Sequence, residues 1–372
     1  MRMQPTADFA AKLNENSTRI VHLSQSDFRD GGITRTERKP ASVSIDLDNL
    51  WAYLKTAGVP GWDTSPGYLN EVTPRILETL GKLNINATFF VVGRDAAQAE
   101  NGPALRAIAQ AGHEIGNHSF DHEPWMPLYS DAELAADFAK SEAAIMQATG
   151  QRPRGFRGPG FCTSGRMRDV LRLRGYEYDA SLLPTFLGPI ARYYFQLVSR
   201  LPGKEKGKRN LLYGGFSNGT MPLRPFEIRP GLMEVPVTTM PISRLPVHLS
   251  YLLFLAQHSD ALARLYWRIA TTLCRMTNVG PSLLLHPTDF MDLNDAPAMS
   301  YFPAMRIPVA RKQALVEFVL GSLNKQWNVG TVAEHAAAFR KAPANVIPMP
   351  ISNLPAADTL PSPIAAAMSR HA

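Results

Sequence analysis

Short β-branched or apolar runs alternate with amphipathic stretches along almost the whole chain, and few architectures accept that order. SVSIDLD over 42–48 alternates and is β-branched at its start, which predicts a strand. Thr73 then Pro74 reads as an N-cap and a first helical residue, with Ile76, Leu77, Leu80 and Leu83 on one face of a helix over 74–83. ATFFVVG (87–93) is a short buried strand, 103–111 a helix stopped by Gly112, and HEIGNH (113–118) a strand. Ser130 with Glu133 makes a capping box for a helix over 131–148, closed by Gly150. RGFRGPG gives a short strand and turn, 166–174 a helix, and YEYDASL (176–182) a strand. MEVPVTT (233–239), SLLLH (282–286) and WNVGTV (327–332) add strands, with helices near 259–276 and 308–324 between them. Such alternation favours a parallel sheet or a barrel of βα units, and no repeat of fixed period interrupts it.

The chain of 372 residues is 45% hydrophobic and 19% charged, enough to bury a large core and too apolar for disorder. Residues 1–40 read as a polar arm, 41–340 as the folded unit, and 341–372 as a tail rich in Pro and Ala. Two segments exceed ordinary βα loops: 184–230, with FLGPIARYYFQLV, and 241–257, with LSYLLFLA. Lys and Arg outnumber Asp and Glu by 39 − 32 = 7, and the densest run is Arg200, Lys204, Lys206, Lys208 and Arg209. That run is either a solvated loop or a contact for an anionic membrane surface or a phosphate. No nucleic-acid partner is implied. Cys162 and Cys274 cannot build a disulfide framework or a four-cysteine zinc site. The first 20 residues lack a continuous apolar stretch, and no run approaches the roughly 20 apolar residues that span a bilayer. The expectation is a cytoplasmic protein, touching the inner membrane face if the basic run does so.

The histidines of NHSFDH, His118 and His122, sit four apart where Gly112 and Gly116 precede and Pro124 and Pro127 follow, so a loop rather than a helix must hold them. Loops that pin imidazoles usually pin them onto something, and a metal is the obvious candidate. In a parallel βα barrel the chemistry gathers at the carboxyl ends of the strands. The first strand ends in Asp46-Leu47-Asp48, and a period of two puts both carboxylates on one side. The third ends at His118 and His122, the fourth at Arg157, the fifth carries Asp179 and the seventh ends at His286. One carboxylate and two imidazoles suit zinc or another divalent first-row ion with positions open for water. A second aspartate can take the water's proton, and a separate histidine can protonate a leaving amine or alkoxide. Arg157 and Asp179 suit the task of orienting base and acid through charge-assisted hydrogen bonds. That is metal-assisted hydrolysis of an amide or ester.

With these residues assembled, the sequence resembles the polysaccharide deacetylases, carbohydrate esterase family four. The likeness rests on SIDLD, HEIGNHSFDH, FRGPGF, YDAS and LLLH in order, close over 42–183 and looser over 282–332. It implies an α/β fold, a distorted and partly open (β/α) barrel, here with a long insertion. It also implies removal of acetyl groups from N- or O-acetylated sugars with a divalent metal, zinc above all. By the same resemblance Asp46 is the general base, Asp48, His118 and His122 are metal ligands, and Arg157 tethers the base. His286 is the general acid and Asp179 the carboxylate that orients it. Three departures reshape the sugar groove: Leu47 separates the two aspartates, Phe161 stands where glycine is usual, and no tryptophan follows the fourth motif in LLPTF. Leu47 leaves the roles of Asp46 and Asp48 exchangeable.

Two rivals stand beside the deacetylase: a cyclic-amide or ureide hydrolase on the same fold, and a sugar- or lipid-binding protein without turnover. The long apolar segments and the basic run would suit a lipid-linked sugar or glycolipid, or else pack as extra helices over the barrel. Trp51, Tyr53, Trp62 and Trp125 are divided between stacking on a sugar and packing. His113 and Glu114 are expected to shape the start of the third strand, and Cys162 to be structural.

Overall fold

The computed structural model describes residues 38–190 and 215–340. The basic run at 200–209, the tail and almost all of the arm lie outside the described residues. Among the described residues, nine strands form one curled, open half-barrel sheet in the order β6-β7-β5-β4-β3-β2-β1-β8, with β9 also on β1. They are β1 Pro40–Leu47, β2 Thr88–Val91, β3 Glu114–Asn117, β4 Gly155–Phe156, β5 Tyr178–Asp179, β6 Phe226–Arg229, β7 Leu232–Glu234, β8 Ser282–Leu285 and β9 Asn328–Gly330. Every pairing is parallel except the β6–β7 hairpin. Across the gap beyond β8, Thr238 N donates to Ser282 O at 3.1 Å, so the sheet curls towards closure without a full ladder.

β1 is the axis of this arrangement. Its upper half pairs with β2 and β8, and its foot pairs with β9. The period of two sorts its side chains. Val43, Ile45 and Leu47 enter the main apolar core, together with residues of the helices Leu69–Lys82 and Val309–Gln326. Ser42, Ser44 and Asp46 take the other face, where Ser42 Oγ meets Ser282 Oγ at 3.1 Å and Ser44 and Asp46 both meet Arg157. A smaller core holds Phe138, Phe156 and Tyr176 under the helix Asp131–Thr149, which carries the expected capping box at Ser130 and Glu133.

One local expectation changes, and two further helices take shape. The helix expected over 74–83 begins at Leu69, so Pro74 lies inside it rather than at its first residue. The start moves because Asn49 Oδ1 accepts Tyr68 N at 3.0 Å and fixes the chain one turn earlier. A helix at Leu50–Ala57 follows β1 directly, with Asn49 as its cap and Gly58 (φ 74°) as its left-handed end. The stretch LSYLLFLA is a helix, Leu249–Ala256, with four residues buried against the barrel core.

The foot of the barrel is acid-sensitive. His335 is buried there with Nδ1 3.0 Å from Ser42 Oγ, and burial pushes its imidazole down to about 4. Between about pH 6.5 and 4 the unfolded chain therefore binds a proton at this ring that the folded chain refuses, and stability falls as pH drops through that window, by about 1.4 kcal/mol per pH unit at its steepest. Urea unfolding at pH 6.5 and 4.5 should show His335→Gln losing less stability across that interval than the wild type.

Candidate active site

The turn after β1 is tied down before any chemistry begins. Tyr68 Oη donates to Asp48 O at 2.7 Å, Asn49 Oδ1 accepts Leu50 N at 2.8 Å, and Asn49 Nδ2 donates to Asp95 Oδ1 at 2.9 Å. Leu47 drops into the core, which leaves Asp46 and Asp48 side by side at the strand's carboxyl end. The NHSFDH loop answers from β3. Ser119 (φ 64°) and His122 (φ 51°) take left-handed backbone, so the chain reverses within the motif. Asn117 Oδ1 accepts Ser119 N at 2.9 Å and the Ser141 hydroxyl at 2.7 Å, and Ser119 Oγ accepts His122 N at 3.1 Å. Ser119 O and Phe120 O receive the backbone N–H groups of Gly93 and Arg94, docking the loop on the neighbouring strand's exit.

Asp48, His118 and His122 present three ligating atoms within 4.8 Å of one another. His118 Nε2 lies 3.4 Å and His122 Nε2 3.2 Å from Asp48 Oδ1. Donors held about 2.0–2.1 Å from one tetrahedral ion lie roughly 3.3 Å apart, which matches both separations. No donor is aligned with Asp48 Oδ1 despite these short approaches, so this buried oxygen has no hydrogen-bond partner. His118 Nδ1 sits 2.7 Å from Arg157 O; a ring proton there leaves the Nε2 lone pair facing Asp48 and His122. Burial raises the pKa of Asp48, but the two imidazoles outweigh it and hold this carboxyl well below its usual range. Burial likewise works against charging His118, and Asp46 and Asp48 overcome it, so this imidazole is raised above its ordinary value. The donor set, its spacing and its orphaned oxygen fit a divalent ion.

Asp46 stands beside this triad, its Oδ2 3.9 Å from His118 Nε2. Arg157 is wholly buried and holds Asp46 Oδ1 at 2.7 Å, Ser44 Oγ at 2.8 Å and Ala180 O at 2.9 Å, while its guanidinium lies 4.3 Å over the Phe90 ring. The FRGPGF turn brings it in: a Cβ on Gly158 would fall 2.0 Å from Cys162 O, so only glycine permits that close a bend.

His286 is brought to the same cavity as Asp46, Asp48, His118 and His122, a space of about 410 Å³. Asp179 is not brought to His286. Its carboxylate accepts from Arg168 Nε at 3.2 Å, Thr163 Oγ1 at 3.3 Å and Ser181 N at 3.1 Å, and Arg168 also bonds Glu234 at 3.1 Å. The side chains that meet His286 instead are Ser250, whose Oγ lies 3.2 Å from Nδ1, and through it Asp289. Strand order could not reveal this, because both carboxylates lie near strand ends and only packing decides which one faces the histidine.

His248 is another cavity residue the sequence did not mark. It caps the helix Leu249–Ala256, with Nδ1 accepting Tyr251 N at 3.3 Å, and burial followed by the nearby His286 pushes it down to about 3. Its ring is therefore neutral, with the proton on Nε2. Phe161 and, from LLPTF, Leu183 and Thr185 line the cavity, as does Tyr53. Trp51 does not: it donates to Asp95 at 3.0 Å and supports His122 edge-on at 6.4 Å. His113 accepts Ala87 N at 3.2 Å at the amino end of the sheet.

Residues 60–178 match the family described as polysaccharide deacetylase. The chain is 36% identical over 181 residues to a peptidoglycan N-acetylglucosamine deacetylase of Listeria monocytogenes, covering 41% of this chain and 38% of that one. It is 29% identical over 164 residues to a peptidoglycan deacetylase of Helicobacter pylori, covering 42% of this chain and 53% of the other. The match thus spans about half or less of these relatives' length. A Mycobacterium smegmatis crystal structure assigned to the polysaccharide deacetylases superposes with a TM-score of 0.52 at 20% identity, over 87% of this chain and 97% of that one, which shows a shared fold. The matched segment holds His118, His122 and Arg157, so residues 60–178 are similar in sequence to the polysaccharide deacetylases, and the half-barrel is a fold shared with the Mycobacterium smegmatis structure.

Proposed function

We propose that the chain is a metal-dependent deacetylase that hydrolyses an acetyl or similar acyl group from an N- or O-acylated sugar. The observation that carries this is the Asp48, His118 and His122 cluster with Asp46 beside it and His286 in the same cavity. Asp48, His118 and His122 would hold the ion, with zinc as the first choice for one carboxylate and two imidazoles. When bound, it acidifies water and polarises the acyl carbonyl. Asp46 accepts the proton of the attacking water, and Arg157 keeps its carboxylate aimed at that position. As the C–N or C–O bond breaks, His286 gives a proton to the departing nitrogen or oxygen, so a free amine or hydroxyl leaves with the acid as co-product.

The substrate we propose is a sugar carried on a lipid at the cytoplasmic leaflet. Apolar side chains in the cavity wall and next to it in sequence support that choice. Leu187 lines the cavity, and Phe186 and Ile190, close to it in the chain, are exposed. Tyr251 also lines it and packs 6.4 Å from Phe254, which is half exposed. Among the described residues no helix is long and apolar enough to cross a membrane, so contact would be peripheral. Acetate release from an N-acetylated sugar on a polyprenyl phosphate in vesicles, compared with soluble chito-oligosaccharides, tests the reading. Turnover of the lipid-linked sugar, lost with chelator, is expected. Binding to anionic vesicles should weaken with salt and with charge reversal at Lys204, Lys206, Lys208 and Arg209. Good turnover of the soluble oligomers with indifference to vesicles would return the chain to soluble glycans, and no acetate from any sugar would sink the deacetylase itself.

A further inference from the structure

We propose that Ser250 and Asp289, and not Asp179, hold His286 in its proton-donating orientation. This rests on the reading of His286 as the acid. A serine hydroxyl has one proton, and here Ser250 Oγ lies 3.3 Å from Asp289 Oδ1, which as a carboxylate oxygen can only accept. Ser250 therefore receives its second bond, at 3.2 Å, from His286 Nδ1–H. The proton to be delivered to substrate is then the one on Nε2. Asp289 is steered in turn by the residue it steers: its Oδ2 accepts the backbone N–H of His286 at 2.8 Å. Lys312, wholly buried, closes the turn from behind, donating to Thr288 O at 2.7 Å and Met291 O at 2.6 Å. The chain His286–Ser250–Asp289 is thus complete, whereas the Asp179 carboxylate is fully engaged by Arg168, Thr163 and Ser181.

Ser250 comes from the helix Leu249–Ala256, within the segment 241–257 that exceeds an ordinary βα connection. The segment is therefore part of the catalytic apparatus. A proton donor aligned from outside the strand ends leaves Asp179 free to anchor the β5–β7 seam with Arg168 and Glu234.

The test uses the metal-loaded full chain with N-acetylated chito-oligosaccharide, or the lipid-linked sugar if that is what it turns over, and an aryl acetate of good leaving group. Ser250→Ala should lower kcat on the amide about ten- to a hundredfold, part of the ~10²–10⁴ that general acid catalysis contributes, with little change on the aryl ester. Ser250→Thr, which keeps the hydroxyl, should restore most of the loss. Asp179→Asn should leave the amide-to-ester ratio at the wild-type value. Nitrogen-15 spectra of the neutral His286 ring should show one tautomer, protonated at Nδ1, in the wild type and a mixture in Ser250→Ala. An unchanged ratio and tautomer in Ser250→Ala, or a selective loss of amide turnover in Asp179→Asn, would overturn the proposal. The ring spectra need no substrate, so they decide the relay even if no acetate is released and the deacetylase reading fails.

Discussion

His118→Ala is expected to empty the chain of its metal. Purified wild-type protein should carry about one divalent ion per chain by elemental analysis, and the variant close to none, because two donors of three do not hold a first-row ion against solvent. The lost ring leaves a small buried void, worth about 1–3 kcal/mol, so the variant should still unfold cooperatively in urea. His122→Ala should behave alike, with a smaller cost because that ring is only partly buried. Metal uptake should also weaken in acid. Burial opposes charge on His118, but Asp46 and Asp48 win and raise its pKa, so over a range of pH the ion must displace a proton from this ring. Within that range, affinity should fall by about tenfold for each unit of pH lost per proton displaced. Full occupancy in both alanine variants would remove the assignment altogether.

Asp46→Asn is expected to cost activity by about 10²–10⁴-fold while the ion stays, since the amide keeps the shape of the side chain and loses only its basicity. Elemental analysis beside kcat separates this from a ligand role. If the asparagine variant is metal-free, Asp46 and Asp48 have exchanged duties. The companion change, Arg157→Met, should strike stability as well. Asp46 would lose its 2.7 Å partner while remaining buried, and stranding one member of a buried ion pair costs about 3–5 kcal/mol. Removing both charges together, Asp46→Asn with Arg157→Met, should recover part of that loss without recovering turnover, a comparison readable from two urea curves.

Most of the cluster that the structure gathers is legible because its residues end strands, and strand ends are visible as apolar runs that stop at a polar residue. Asp46, Asp48, His118, Arg157 and His286 all have that form. The Asp-Leu-Asp spacing was also legible, since Leu47 can only serve the core if its neighbours face the other way. What sequence could not show is which side chains meet across loops. The family resemblance pairs Asp179 with His286, yet Arg168, the fourth residue of the helix Gly165–Leu173, bonds its carboxylate. Ser250 and His248 were hidden inside LSYLLFLA and its approach, where the apolar count drew attention and two small polar groups did not. The early start of the helix at Leu69 follows from Asn49, twenty residues away, a contact that no local propensity encodes.

Arg157 joins the two halves of the chemistry through one residue. Its guanidinium holds Asp46, and its own backbone carbonyl lies 2.7 Å from the ring nitrogen of His118. The separation between the Asp46 carboxylate and the His118 ring is therefore set by a single amino acid's bond lengths and rotamer, not by the relative placement of two loops. Changes in the loops that line the cavity away from Arg157 therefore leave the spacing of Asp46 and His118 untouched.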